Sequence, residues 1–252
     1  MKYTSIYFSP TGTSEKIIKT IVNEIFEEGM DFDLTLPKSR EKQISIDSES
    51  VIIVGSPVYS GRTPFIFETY LKSLNVRGQD VILVALYGNR AYEDALLEMK
   101  DIFKEKNCNI IGAGAFIGEH SITGNVASNR PDEKDIAMAK SFAEKVKENI
   151  GKNISVEVDG KRPYRVRKSP NSIGPSTNDN CNQCKLCAEN CPVGAISMDD
   201  CKIVDAMACI NCFRCVRECP KQAKYYDERF DKIIDGLETN CTAVRLEPEI
   251  FV

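Results

Sequence analysis

The chain has 252 residues, with 37 acidic and 33 basic side chains and a net charge of −4. This length allows one large or two small domains with a real hydrophobic core. Acidic and basic residues are interspersed, which excludes the clustered basic surface of a nucleic-acid-binding protein, and no apolar run is long enough for a membrane span. The N-terminal stretch from Lys2 to Ser9 is too short for a signal peptide. We therefore expect a cytoplasmic protein without a nucleic-acid partner.

Short β-branched segments alternate with longer amphipathic segments through residues 1–150, which we interpret as the first domain. This alternation is typical of a parallel sheet covered by helices on both faces. The predicted strands are Lys2–Phe8, Phe32–Leu36, Ser50–Gly55, Asp80–Leu86 and Asn109–Ile117. The predicted helices are Thr13–Glu28, Pro64–Leu74, Ala91–Lys106 and Pro131–Asn149. Five strands favour an α/β fold with a doubly wound sheet of order 2-1-3-4-5, which binds its ligand beyond the carboxyl ends of the strands.

A looser stretch rich in Gly, Pro, Ser and Asn follows at 151–174, and we interpret it as a linker. Its five basic residues favour a solvated connector, with a docking segment for an acidic partner as the alternative. Residues 175–226 are interpreted as the second domain and 227–252 as a C-terminal tail. A short helix is predicted over Tyr225–Leu237, and Thr242–Val252 is expected to pack on either domain. The five basic residues are Lys161, Arg162, Arg165, Arg167 and Lys168.

Two copies of one cysteine run lie in the second domain, each with the spacing Cys-x2-Cys-x2-Cys-x3-Cys-Pro. The first copy is Cys181, Cys184, Cys187 and Cys191, and the second is Cys209, Cys212, Cys215 and Cys219. In such a run the first three thiolates bind one [4Fe–4S] cluster, while the cysteine before proline binds the other cluster. The spacing therefore predicts two clusters. The predicted ligands are Cys181, Cys184, Cys187 and Cys219 for the first cluster, and Cys209, Cys212, Cys215 and Cys191 for the second.

Other interpretations of these cysteines fit less well. A zinc site uses two ligand pairs that close a tetrahedron, and a disulfide framework needs an oxidising compartment. Eleven cysteines without an export signal indicate reduced thiols, and exposed clusters of this type indicate an anaerobe. The cysteines outside the runs, Cys108, Cys201 and Cys241, are expected to be structural thiols. Residues 175–226 resemble the bacterial-type two-cluster ferredoxins, which implies a small α+β domain.

The loop after the first predicted strand combines hydroxyl side chains with the start of a helix. Its hydroxyls and backbone N–H groups converge at the positive end of that helix, where a phosphate binds well. No Gly-Lys-Ser/Thr follows, which excludes a P-loop. The loop resembles the phosphate loop of flavodoxins, and that resemblance implies FMN as a cofactor. The matching positions are Ser9, Thr11, Gly12, Thr13 and Ser14.

Three further loops, each directly after a predicted strand, resemble the flavodoxin loops around the flavin ring. The loop after the third strand carries the Gly and Pro of a chain that approaches a ring closely. Tyr59 in that loop and Tyr92 in the next are candidates for stacking on the ring. His120, in the loop after the fifth strand, is expected to be structural. The candidate FMN-binding residues of these loops are Ser56, Pro57, Val58, Tyr59, Ser60, Gly61, Tyr87, Gly88, Asn89, Tyr92 and Gly118.

The whole chain resembles the flavodoxin–ferredoxin fusion proteins of anaerobes. That resemblance implies an electron carrier that relays electrons between FMN and two [4Fe–4S] clusters, and on to redox partner proteins of the ferredoxin-dependent type. It implies no catalytic acid or base, because the redox chemistry belongs to the cofactors. Two alternatives stay open: a flavin-dependent reductase of a small acceptor such as a quinone, a flavin or oxygen, and a redox or iron sensor with 151–177 as its hinge.

Overall fold

The computed structural model describes residues 1–167 and 173–252. Its strands are β1 (Lys2–Tyr7), β2 (Glu28–Asp33), β3 (Val51–Pro57), β4 (Asp80–Tyr87), β5 (Asn109–Ile117), β6 (Ser176–Thr177), β7 (Lys224–Tyr225) and β8 (Glu249–Phe251). Its helices are α1 (Thr13–Ile25), α2 (Phe65–Ser73), α3 (Ala95–Lys104), α4 (Glu133–Lys147), α5 (Leu186–Glu189), α6 (Arg214–Arg217) and α7 (Asp231–Cys241). Pro37–Arg40 and Glu228–Phe230 form short 3-10 turns. None of the helices in this described part of the chain is both long and apolar enough to cross a membrane.

Six strands of the described chain form one sheet in the order β2-β1-β3-β4-β5-β8. The first five run parallel, so the predicted doubly wound order 2-1-3-4-5 is confirmed. β8 pairs antiparallel with β5, with Ala113 opposite Phe251 and Ala115 opposite Glu249. Parallel strands are joined by crossover connections, which bring their carboxyl ends together at one edge of the sheet. The loops after β1, β3, β4 and β5 therefore meet at this edge.

Alternate residues of the buried strands pack against opposite faces of the sheet. On β4, Val81, Leu83 and Ala85 belong to the core layer that includes α2 and α3, while Ile82 and Val84 belong to the layer that includes α1 and α4. Because both faces are covered, these strands are nearly continuous apolar runs in the sequence. Each fully buried Val, Leu, Ile or Phe contributes about 1.5–3 kcal/mol, so apolar burial stabilises this domain.

Three predicted elements have boundaries that are wrong by three or four residues. α1 ends at Ile25, earlier than predicted, and β2 spans Glu28–Asp33 instead of Phe32–Leu36. β2 is an edge strand with mostly exposed side chains, so its polar residues give no strand signal. α3 begins at Ala95, four residues later than predicted, because Glu93 has a left-handed backbone with φ 45°. The other predicted ends in this domain match within two residues.

Residues 151–167 are mostly exposed to solvent, but hydrogen bonds hold them on the α/β domain. Asp94 accepts hydrogen bonds from the backbone N–H groups of Lys161 and Arg165, at 2.8 and 2.7 Å. Asp94 lies on the first domain, about 70 residues earlier in the chain, so the composition of the segment itself does not reveal this contact. The segment is therefore attached to the α/β domain. Arg162 pairs with Asp101, Arg165 with Glu93, and Arg167 with Glu68 and Glu98, whereas Lys168 lies outside the described residues.

The C-terminal tail returns to the α/β domain. Its helix α7 begins at Asp231 and not at the predicted Tyr225, because Tyr225 belongs to β7. The segment between α7 and β8 is held by the side chain of Asn89, and β8 then extends the sheet. The tail thus packs on the first domain. The amide of Asn89 donates to the carbonyls of Cys241 and Val244 at 2.7 Å each, and its oxygen accepts from Leu246 N at 3.0 Å.

Candidate functional site

The two cysteine runs adopt the same backbone conformation, 28 residues apart. Gln183 and Lys185 of the first run have φ angles of 57° and 66°, and Asn211 and Phe213 of the second have 52° and 56°. A four-residue helix follows in each run, α5 and α6. Few residues other than glycine adopt positive φ. The recurrence of positive φ at matching positions of the two runs shows that the second domain contains an internal repeat.

Each set of four predicted ligand cysteines lines one cavity. Cavity 1 encloses about 330 Å³ of empty space, partly open to solvent, and cavity 2 about 340 Å³. The thiols surround this space, and no three His, Cys, Asp or Glu side chains of the described residues are placed to hold a single metal ion. Four thiols around a cavity suit a [4Fe–4S] cluster, which takes four cysteine ligands. Cavity 1 is lined by Cys181, Cys184, Cys187 and Cys219, and cavity 2 by Cys191, Cys209, Cys212 and Cys215.

Backbone N–H groups approach the thiols of the two cysteines that precede proline. Ala195 N donates to Cys191 Sγ and Ala223 N to Cys219 Sγ, each at 3.2 Å. Burial opposes ionisation of Cys219, but backbone N–H groups outweigh it and hold the pKa of this thiol below its ordinary value. Burial raises the pKa of Cys212 to about 12. Such a buried thiol becomes a thiolate when a bound cation compensates its charge, as iron would.

Cys201 and Lys224 lie outside the predicted ligand set and are among the residues that line cavity 1. Cys201, expected to be structural, is fully buried there, and Lys224 is only 3% exposed. Lys224 Nζ donates to the carbonyl of Cys201 at 2.6 Å, and within residues 1–167 and 173–252 it pairs with no carboxylate. Ile196 occupies the equivalent position of the first run, 28 residues earlier, and lines cavity 2. Comparing the two runs residue by residue in the sequence would have revealed this exchange.

The loop between β1 and α1 contains a buried hydroxyl without a partner. Gly12 makes the turn into α1 with φ 81°, a conformation that favours glycine. Ser9 Oγ accepts a hydrogen bond from Glu15 N at 3.0 Å, whereas Ser14 Oγ is buried and has no hydrogen-bond partner among the described residues. Leaving a buried polar group unpaired costs about 1–3 kcal/mol. The orphaned hydroxyl at the positive end of α1 therefore fits a bound anion.

Two further predicted hydroxyls of this segment lie close to each other. Thr11 Oγ1 and Thr13 Oγ1 are 3.4 Å apart. A Cβ at Gly118, just after β5, would come within 3.1 Å of Thr13 Cβ, so the loop after β5 packs directly on the loop after β1. The structure thus brings the predicted phosphate-binding positions together.

The loop after β3 is a tight turn. Ser60 and Gly61 have φ angles of 52° and 83°, and the backbones of Tyr59 and Arg62 exchange hydrogen bonds of 2.9 and 3.2 Å across them. Positive φ at both central residues is typical of a type I′ turn, which favours glycine. The predicted ring-contacting residues of this loop therefore lie on or next to a tight turn that follows β3. Ser56 is buried, Pro57, Val58 and Tyr59 are half-buried, and Ser60 is exposed.

The loop after β4 is occupied by the C-terminal tail. Tyr92 is buried, with its ring 5.6 Å from that of Tyr87 and its hydroxyl donating to Glu249 at 2.6 Å. Asn89 is bound to the tail by all three of its hydrogen bonds described above. The structure therefore gives Asn89 and Tyr92 a role in holding the tail. This role has no local signal in the sequence, because Glu249 follows Tyr92 by 157 residues.

The loop after β5 contacts the second domain. Arg217 donates to Glu119 Oε1 at 2.7 Å and to the carbonyl of His120 at 2.6 Å. The ring of His120 covers Gly88, where a Cβ would come within 2.4 Å of the imidazole. Burial and the positive charges of Arg217 and Arg90 lower the pKa of His120 to about 4. His120 is therefore a neutral part of the contact between the two domains at pH 7.

Cavity 2 lies against the α/β domain. Arg40 donates to the carbonyls of Thr35 at 2.7 Å and Pro192 at 2.5 Å, and Pro192 follows a cavity 2 cysteine. Ile210, which lines cavity 2, packs against the core layer of the α/β domain. Burial, followed by the nearby thiols of Cys212 and Cys209, raises the pKa of Tyr59. The turn after β3 and cavity 2 are therefore neighbours.

Comparison with known proteins separates the two domains. Residues 177–197, which include all four cysteines of the first run, match the family described as the 4Fe-4S binding domain. An uncharacterized protein of Methanocaldococcus jannaschii is 26% identical over 153 residues, which are 58% of this chain and 96% of that protein. Flavodoxin 1 of Bacillus cereus is 15% identical and covers 60% of this chain and 100% of its own, with a TM-score of 0.45. A flavodoxin of Streptococcus pneumonia TIGR4 is 18% identical over the same shares, with a TM-score of 0.40.

The strand order and the family match together define the architecture. A parallel sheet of order 2-1-3-4-5 is the flavodoxin-like doubly wound arrangement. The match at 177–197 indicates a 4Fe–4S cluster held by the cysteine-rich domain. The chain is thus a fusion of a flavodoxin-like α/β domain with a domain of the 4Fe–4S ferredoxin type.

Proposed function

We propose that this protein is an electron-transfer iron–sulfur flavoprotein that relays electrons between FMN and two [4Fe–4S] clusters, and on to redox partner proteins. The observation that carries the proposal is the pair of four-cysteine cavities, one of which lies against the sheet edge where the phosphate-binding positions meet. When bound, the clusters supply one-electron chemistry and FMN links one- and two-electron chemistry. The residues of the chain bind these groups and adjust their potentials.

The cysteine sets support two clusters. Each set draws three thiols from one run and one from the other, so each loop closes both cavities. Backbone N–H groups donate to the sulfur atoms of Cys191 and Cys219, the cysteines that each run contributes to the cavity of the other run. The second run repeats the backbone of the first, whose segment matches the 4Fe–4S family. We therefore assign a second cluster to the set that contains Cys209, Cys212 and Cys215.

The loop before α1 supports FMN. Its orphaned Ser14 hydroxyl needs an acceptor or donor that the described protein atoms do not provide, and the helix N-terminus beside it attracts an anion. A flavin phosphate provides acceptor oxygens for this hydroxyl and the negative charge that the helix N-terminus attracts. Thr11 and Thr13 offer further hydroxyls at the same place. We assign the phosphate to this loop and the ring to the neighbouring turn at Tyr59.

The burial of the two cavities gives the relay an order. Cavity 2 adjoins the α/β domain through Ile210 and Pro192, whereas Cys184 of cavity 1 is exposed to solvent. A partner protein can approach cavity 1 without separating the two domains. We therefore place cavity 2 between the flavin and cavity 1, and cavity 1 at the exit to partner proteins.

The contacts between the domains favour a relay over a hinged sensor. The described part of the supposed hinge is attached through Asp94, and the tail is attached through Asn89 and β8. Attachment on both sides of the second domain fixes its position. A fixed position suits electron transfer, which requires constant proximity of the cofactors.

Quantifying flavin, iron and sulfide in anaerobically purified protein tests the proposal. We expect FMN and two four-iron clusters per chain. Cys191→Ser should deplete the cavity 2 cluster and leave the cluster of its chain neighbours Cys184 and Cys187 in place, while Cys108→Ser, at a buried thiol outside both cavities, should leave both. Ser14→Asp should abolish flavin binding by charge repulsion and retain the iron, with exposed Thr69→Asp as its matched control.

Three results would contradict the proposal. Iron for only one cluster would contradict the assignment of a second cluster. Iron without flavin in the unaltered protein would contradict the flavin relay. Flavin retained by Ser14→Asp at the level of Thr69→Asp would show that the phosphate binds elsewhere.

A further inference from the structure

The internal repeat of the cysteine-rich domain is broken by one buried charge. Ile196 and Lys224 occupy equivalent positions, five residues after the cysteine that precedes proline in each run. Both are buried, at 6% and 3% exposure. Ile196 lines cavity 2 together with Cys191, and Lys224 lines cavity 1 together with Cys219. Cavity 2 therefore has an apolar side chain where cavity 1 has an ammonium group.

The remaining lining extends this difference. The described residues around cavity 2 include no charged side chain, whereas Lys185 and Lys221 also border cavity 1. Those two lysines are exposed, so water screens their charges. Lys224 is the buried charge of the set, and a charge in a poorly solvated place acts more strongly on its neighbours.

Lys224 forms no ion pair within the described chain, although the carboxylate of Asp200 is near enough to interact with its charge. Its ammonium group donates to the carbonyl of Cys201 at 2.6 Å and to no carboxylate of residues 1–167 and 173–252. A buried charge without a counter-charge is strongly unfavourable. An iron–sulfur cluster with four thiolate ligands carries a net negative charge and supplies the missing counter-charge at cavity 1.

We propose that Lys224 raises the reduction potential of the cluster in cavity 1 above that of the cluster in cavity 2, so that a single electron in the domain resides at cavity 1. This inference rests on the proposed function, since it requires both clusters. Reduction adds one negative charge to a cluster, and the neighbouring ammonium group stabilises that extra charge. One electron leaves the cavity 2 cluster as the cavity 1 cluster gains it. No bond forms or breaks, and Lys224 keeps its proton.

The position of cavity 1 gives this bias a direction. Cavity 2 adjoins the α/β domain, and cavity 1 has the exposed Cys184. Lys224 therefore draws electrons from the interior of the molecule towards the face that a partner protein can reach. Lys224 acts on the cofactor through its charge and is a positioning residue, not a catalytic one.

An anaerobic redox titration with dithionite, followed by low-temperature EPR of the full-length protein, tests the inference. The unaltered protein should show two one-electron cluster steps with different midpoint potentials. Lys224→Met removes the charge and keeps the volume. It should lower the midpoint potential of the upper step, which belongs to the cavity 1 cluster, more than that of the lower step, which belongs to the cavity 2 cluster. We expect at least a tenfold shift in the distribution of the electron between the clusters, which corresponds to about 59 mV for one electron.

Three matched variants sharpen the test. Ile196→Lys places the same charge beside cavity 2, so it should raise the midpoint potential of the lower step and narrow the difference between the two potentials. This variant also tests the inference if Lys224→Met loses its cluster. Lys224→Arg retains the charge and should keep the upper step in place. Lys221→Met removes an exposed charge beside the same cavity and should move the upper step much less than Lys224→Met.

The inference is overturned if both steps stay in place in Lys224→Met and Ile196→Lys, or if Lys221→Met shifts the upper step as far as Lys224→Met. It is also overturned if Lys224→Met mainly moves the lower step. Failure of the proposed function is distinguishable from these results, because a protein with one cluster is recognised by its iron content before any titration and contradicts both proposals.

Discussion

The two domains of this chain are stabilised in different ways. The α/β domain has two extensive layers of buried apolar side chains, one on each face of its sheet. The cysteine-rich domain has a small buried cluster and the aromatic contacts of Phe213 with Tyr226 and Phe230, and its centre contains two cavities. The members of the cluster are Ala188, Cys191, Ala195, Ile196 and Cys201. The comparison teaches that the first domain folds by apolar burial, whereas the second depends on what fills its cavities and on its attachment to the first.

The largest expected effect is the loss of the second domain's structure when iron is removed. Metal binding and folding are coupled where the ligands form most of the core. After anaerobic treatment with oxidant and chelator, hydrogen exchange should become fast throughout 173–226, while the amides of β3, β4 and β5 stay protected. Hydrogen-exchange mass spectrometry before and after treatment measures this. Retained protection of α5 and α6 in iron-free protein would show that the domain is stable without its clusters.

A smaller effect is expected from one core truncation in the α/β domain. Ile53 is fully buried in the middle of β3, so Ile53→Ala should lower the free energy of unfolding by about 2–5 kcal/mol. Its iron content should not change. Ile203 in the cysteine-rich domain is 61% exposed, and Ile203→Ala should change the free energy by no more than about 0.5 kcal/mol. Denaturant unfolding of both variants measures the difference. Equal losses would contradict the division into an apolar and a metal-dependent domain.

The most gradual expected effect, spread over more than two pH units, concerns the contact between the domains. Burial, Arg217 and Arg90 lower the pKa of His120 from its ordinary 6.5 to about 4. Below pH 6.5 the unfolded chain binds a proton that the folded chain does not, so stability should fall between pH 6.5 and 4, by at most about 1.4 kcal/mol per pH unit. Because His120 is the one histidine of the 252 residues, its NMR signal is unambiguous.

The same signal also reports on the docking of the two domains. It should stay in its neutral position down to pH 5 in the unaltered protein. Arg217→Met removes a neighbouring positive charge and opens the contact, so it should raise the pKa of His120. A midpoint near 6.5 in the unaltered protein would show that the domains do not pack as described.

Much of the first domain follows from the sequence because its strands are buried on both faces. The run Asp80–Leu86 contains five consecutive fully buried positions, and such runs identify strands of a parallel sheet without knowledge of their neighbours. β2 lacks this signal, since an exposed edge strand tolerates Glu28 and Asp31. β8 has only three residues, too few for any period, and its existence depends on β5 offering a free edge.

In the candidate site, too, some features follow from local patterns in the sequence and others depend on contacts between distant parts of the chain. The cysteine spacing and the loops after the strands are local patterns, and local patterns are readable in the sequence. The roles of Asn89 and Tyr92 depend on a tail more than 150 residues later in the chain, and the importance of Lys224 depends on which cavity it borders. Single-chain patterns do not contain such long-range information, although the comparison of Lys224 with Ile196 needs only the repeat itself.

The antiparallel strand β8 changes the topology of the whole chain. Because the chain leaves the α/β sheet after β5 and re-enters it at β8, the cysteine-rich domain is an insertion with both of its ends tied to one scaffold. A separate ferredoxin must find its flavoprotein by collision, so that step is second order in concentration. In the relay proposed above, an inserted domain makes the same encounter unimolecular, so its rate is independent of the protein concentration.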